Sequence, residues 1–221
     1  MPIDWSTVAE LATAGGTLAL AVSTFASVRS ANRAARAAEE ALMVGLQPLL
    51  VPSRLQDDRQ KIFFMDGKHL VVEGGGAAAE VDGDVAYLAM SVRNAGQGIG
   101  VLRCWHAMPG RQLGEQQPEL SVFRRHVRDI YVPPADLGFW QAAFRDGQDP
   151  GRDEVIRAIK ASQPLTVDVY YGDYEGGQGM ISRFIIQPVG GNDVRWLATV
   201  GHHWNVDRPD PRWRPGDGDV A

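Results

Sequence analysis

The chain has 221 residues, a formal charge of −5 and a single cysteine, Cys104. One cysteine excludes an internal disulfide and the crosslinked frameworks of small secreted domains. Three of the 22 basic and four of the 27 acidic side chains precede residue 47, so the remainder carries −4, the wrong sign for a nucleic-acid surface.

Residues 11 to 28, LATAGGTLALAVSTFASV, hold no charged side chain, and Arg29, Arg33 and Arg36 follow at once. At about 1.5 Å of rise per residue the stretch reaches roughly 27 Å, close to the hydrocarbon thickness of a bilayer, which predicts a single transmembrane helix. Its large apolar residues are Leu11, Leu18, Leu20, Val22, Phe25 and Val28. Each favours insertion by only a few tenths of a kcal/mol. No Lys or Arg precedes residue 29, which argues against a cleaved signal peptide. Because basic flanks stay in the cytoplasm, these arginines predict a single-pass protein of the inner (plasma) membrane with its large domain on the cytoplasmic side. A buried Ala-rich helix in a soluble assembly is the alternative.

Small residues recur every fourth position at Gly15, Ala19, Ser23 and Ser27. That spacing lines one helix face and suits helix pairing in lipid, so self-association or docking on a membrane partner is expected there. From Arg29 to Leu46, strong helix formers continue the rod as a stalk, which Gly45 and Pro48 end.

Beyond residue 47, short apolar runs between turn formers predict an antiparallel, mainly β domain over 47–207. Strands are expected at 49–53, 61–65, 69–73, 85–93, 100–108, 120–124, 130–132, 165–171, 180–187 and 194–200. The run DEVIRAIKA, residues 153–161, places Val155, Ile156 and Ile159 on one side and predicts one inserted amphipathic helix. Many short strands without strand–helix alternation suit a β-sandwich. The glycine- and alanine-rich run 74–84 reads as a mobile loop, and the Pro- and Gly-rich tail 208–221 reads as disordered.

Two motifs, VRNAGQGIG (92–100) and VYYGDYEGGQG (169–179), resemble those of a group of uncharacterised bacterial single-pass membrane proteins. These share an N-terminal helix, an Ala/Arg-rich stalk and a lead-in like Gln47-Pro48-Leu49-Leu50. The resemblance implies an immunoglobulin-like sandwich on a membrane anchor and brings no activity with it. Physically, Asn94, Gly96, Gly98 and Gly100 suit a tight turn or bulge. GQGIG lacks the lysine and following helix of a phosphate loop.

Chemistry-bearing patterns are sparse. Cys104 and His106, two apart on a strand, share a face, whereas adjacent His202 and His203 point to opposite faces. His69 joins no cluster, and the paired ligand spacing of a structural zinc site is missing, so no metal and no cofactor are expected. There is no G-x-S-x-G elbow. Arg124, Arg125, His126 and Arg128 form one local basic cluster, read as an exposed strand edge or turn. The aromatics Phe139, Trp140, Tyr171 and Tyr174 are candidate partner contacts, Trp140 in a loop that leaves it partly exposed. The expected function is therefore binding or scaffolding of a protein partner, without catalysis. The alternative is a small metal-dependent hydrolase using His202 or His203.

Overall fold

A computed structural model describes residues 5–114, 116–190 and 194–207, and for residues 5, 7–12 and 40 the backbone alone. The tail 208–221 lies outside the described residues. The chain divides into two compact units, Met1–Val44 and Gly45–Ala221.

The first unit is helix α1, Trp5–Gly45, of 41 residues, about 60 Å long at the α-helical rise. Its Ala, Arg and Glu content explains the helix. The expected membrane span is corrected: among the described residues no helix is long and apolar enough to cross a membrane. Length suffices, but polarity does not. Two thirds of the 11–28 stretch is Ala, Gly, Ser and Thr, which gain little from lipid. The hydroxyls of Thr17, Ser23 and Thr24 turn back onto the carbonyls of Thr13, Ala19 and Leu20. The single-pass inner-membrane placement and the cytoplasmic sidedness fall with the span; the bilayer contact expected of residues 11–28 is left without that support. Gly15, Ala19, Ser23 and Ser27 do lie at helical spacing on α1.

The second unit is mainly β and antiparallel. Its strands are β1 (Leu50–Pro52), β2 (Gln60–Phe63), β3 (His69–Val72), β4 (Gly76–Asp82), β5 (Val85–Asn94), β6 (Gly100–Pro109), β7 (Arg124–Val132), β8 (Leu137–Phe144), β9 (Leu165–Gly172), β10 (Gly179–Val189) and β11 (Arg195–Asn205), with helix α2 (Arg152–Lys160) before β9. Nine strands form one curled sheet, in the order β8, β5, β4, β11, β10, β9, β6, β7, with β1 sharing one side of β5 with β4. The concave face holds the core, where Trp105 meets Trp140 and Phe144 edge-on at 6.0 and 5.1 Å between ring centroids. Helix α2 adds Val155, Ala158 and Ile159 to that core. Ile156, expected on the same side, is half-buried.

Strands β2 and β3 pair with each other and cover part of the convex face. Ile62, Phe64, Leu70 and Val72 pack on Ala78, Tyr87 and Ala89, with Phe139 and Ala143 alongside. This cover explains β4, which replaces the mobile loop expected at 74–84. Ala77 and Ala79 face the main core while Ala78 faces the hairpin, all three buried. A strand enclosed on both faces needs little side-chain bulk where its neighbours come close. The strands expected at 120–124 and 130–132 are instead a 3-10 turn, Leu120–Val122, and the single strand β7.

The Gln47-Pro48-Leu49-Leu50 lead-in and the 92–100 motif meet at one corner. The Asn94 carboxamide accepts from Leu49 N and Gly96 N at 3.1 and 2.9 Å and donates to the carbonyls of Gly98 and Val132 at 2.6 and 3.0 Å. A side chain at Gly98 would strike the Leu46 carbonyl. The same corner holds the turn from β7 to β8: Asn94 N donates to Asp136 O, Ala135 N to Asn94 O, and the Arg93 guanidinium to Ala135 O.

Candidate functional site

The curled sheet fails to close between its terminal strands. β7 and β8 follow one another in the chain, yet β7 is laddered to β6 and β8 to β5. At the turn they converge, since a Cβ on Gly138 would strike the Val132 side chain. Away from it they diverge around a cleft of about 750 Å³, a volume that suits a small organic molecule.

Local irregularity in β7 shapes this cleft. Its register against β6 passes from Ile130 opposite Leu102 to Arg125 opposite Cys104, so residues 126–129 bulge out of the ladder. The bulge turns His126 toward Trp140, 6.5 Å between ring centroids. On β6, His106 lies against Phe123 at 6.1 Å. Arg124 spans the mouth, with its guanidinium 4.5 Å from the Phe144 ring centre and 5.4 Å from that of Trp105, paired to Asp149 at 3.0 Å.

Three side chains that line the cleft each keep a buried polar atom without a hydrogen-bond partner: His106 Nδ1, His126 Nε2 and Gln141 Oε1. Buried polar atoms in native proteins are almost always satisfied, so orphans gathered in one opening mark a place built for something polar to enter. Burial also holds both imidazoles toward the neutral form, lowering His106 and taking His126 to about 4. Neutral imidazole offers one donor and one acceptor, which suits recognition of a hydrogen-bonding group.

The depressed His126 value has a sign. The unfolded chain takes up a proton below about pH 6.5 that the folded chain refuses until about pH 4, so this residue erodes stability as pH falls through that window, by up to about 3 kcal/mol. Replacing His126 with Leu is expected to flatten the pH dependence of urea midpoints between pH 6.5 and 4. An unchanged slope rejects the assignment.

The aromatic candidates scatter. Trp140 lies on β8, not in a loop, and is fully buried; its exposed placement is corrected because Gly138, Trp140, Ala142 and Phe144 alternate inward along a strand. Phe139 is half-buried on the opposite face. Tyr171 is fully buried; its hydroxyl accepts from Leu50 N at 3.1 Å and lies 2.8 Å from Ser182 Oγ, itself 2.6 Å from His203 Nδ1. Burial pushes the Tyr171 phenol up to about 12. Tyr174 is exposed, with its ring 6.4 Å from that of Tyr131. Ser182 beside His203 has the atoms of a nucleophile and a base, but Ser182 is fully buried inside the sheet and lines no opening among those described. Among the described residues no three His, Cys, Asp or Glu side chains gather to hold a metal. Cys104 is half-buried, and burial pushes its thiol up.

Sequence patterning alone shows the basic cluster at 124–128 and sets His106 beside Cys104 on one strand face, but it gives Gln141 no distinction. They line one cleft only because the sheet curls. No family model and no curated protein matches the chain. A solved structure titled "Crystal structure of protein from Archaeoglobus fulgidus" aligns at 15% identity over 58% of this chain and 92% of its own, with a TM-score of 0.24, a likeness too low to carry an argument.

Proposed function

We propose that this chain is a binding protein without catalytic activity, and that its β domain recognises its partner through the cleft between β7 and β8. The observation that carries this reading is the gathering of unpartnered atoms of His106, His126 and Gln141 in one opening. An immunoglobulin-like arrangement is the finer form of the fold within the same proposal. It is supported by the packing of Trp105 on β6 against Trp140 and Phe144 on β8, across the core.

A role in assembly for α1 is the second reading, favoured by the exposed apolar side chains Leu18, Leu20, Val22, Phe25 and Val28. One experiment addresses both. Affinity purification of the full chain should recover a specific partner that Gln141→Trp, which fills the cleft, reduces at least tenfold without shifting the melting temperature. Recovery that survives Gln141→Trp but is lost with Phe25→Glu moves the contact to α1 and rejects the cleft.

A further inference from the structure

Four arginines line the cleft, and two of them are already engaged. Arg124 pairs with Asp149 and donates to Pro150 O at 2.5 Å; Arg145 pairs with Asp66 at 3.0 Å and lies over the Tyr87 ring. The exposed side chains of Arg125 and Arg128 make no hydrogen bond or ion pair among the described residues. The acids of the lining are Asp149, held by Arg124, and Glu154 in the first turn of α2. In a chain of net charge −5, this opening therefore carries positive charge against the general trend, and low-dielectric walls concentrate such a field. Beside the arginines stand the Phe123 ring and the methyl of Ala142, while the buried Trp105 ring is capped by Arg124.

We infer, resting on the binding reading above, that the cleft takes a small organic anion. Its carboxylate or phosphate is held by Arg125 and Arg128, and its apolar body lies against Phe123 and Ala142. Guanidinium forks match both oxyanions in shape, and a planar apolar body matches the Phe123 ring. The orphaned atoms of His106, His126 and Gln141 then serve a hydrogen-bonding group on that body; the Gln141 amide presents either its oxygen or its nitrogen by a flip. The two free charges are too few for a nucleic-acid track in a domain of negative charge.

The test uses the full chain, isotope-labelled, titrated separately with benzoate, phenyl phosphate and benzyl alcohol under NMR observation. Saturable shifts are expected at His126 and Gln141 with one or both anions. The stronger of the two identifies the oxyanion. Benzyl alcohol should bind at least tenfold more weakly. Arg125→Ala with Arg128→Ala should weaken the anion at least tenfold, whereas Arg195→Ala, at an exposed position of β11, should leave it unchanged. Equal binding of benzyl alcohol overturns the inference while leaving the cleft a binding site. Anion binding that ignores the double variant, or no saturable shift with any probe, also overturns it.

Discussion

Asp168→Asn is expected to cost the β domain about 3–5 kcal/mol, the range found when one partner of a buried ion pair is removed. Asp168 on β9 and Arg183 on β10 stand directly opposite in register. Arg183 Nε and Nη2 meet the two Asp168 oxygens at 2.8 and 2.9 Å, a two-pronged geometry that fixes both side chains. Asp168 is fully buried and Arg183 nearly so, under a cover to which Arg183 also donates through Gly114 O at 3.2 Å, with its guanidinium 4.9 Å from the Trp204 ring centre. Asparagine leaves the guanidinium buried with no counter-charge. Urea unfolding followed by tryptophan fluorescence reads the loss. Asp168→Leu combined with Arg183→Met should recover most of it, because two apolar groups of similar volume need no counter-charge. A loss below about 1 kcal/mol for Asp168→Asn would show that water reaches the pair.

The second large effect falls at Asn94. Alanine there removes two acceptor and two donor bonds at once, and each buried group left unmet costs about 1–3 kcal/mol. A loss of at least about 3 kcal/mol is expected in the same unfolding measurement. Asn94→Asp is the sharper comparison. It keeps the acceptors for Leu49 N and Gly96 N but sets a carboxylate against the carbonyls of Gly98 and Val132, so it should not restore stability. Full stability in the aspartate variant would mean that the two carbonyl bonds contribute nothing.

How far the chain discloses itself depends on whether a residue's surroundings are local. In β9 the inward set Leu165, Val167, Val169 and Tyr171 alternates with Thr166, Asp168 and Tyr170, so that strand is legible. Strand β4 is not, because Ala77 to Ala79 become strand residues only through cover supplied by β5, β11 and the β2–β3 hairpin. Strand β8 hides for another reason: Pro133 and Pro134 precede it, and its Leu-Gly-Phe-Trp start resembles an aromatic loop. In α1, an absence of charge stands out along the chain, but bilayer crossing depends on summed hydropathy, which Ala and Gly leave low. Of the cleft, the arginines are visible in order, whereas their meeting with His106 and Gln141 depends on a curl that no single segment encodes.

The turn joining β7 to β8 is pinned to the Asn94 corner from both sides, so the narrow end of the cleft is a fixed stop. From that stop β7 follows β6 and β8 follows β5 through their ladders, and the width of the mouth is set by the arc of the strands between them rather than by a hinge.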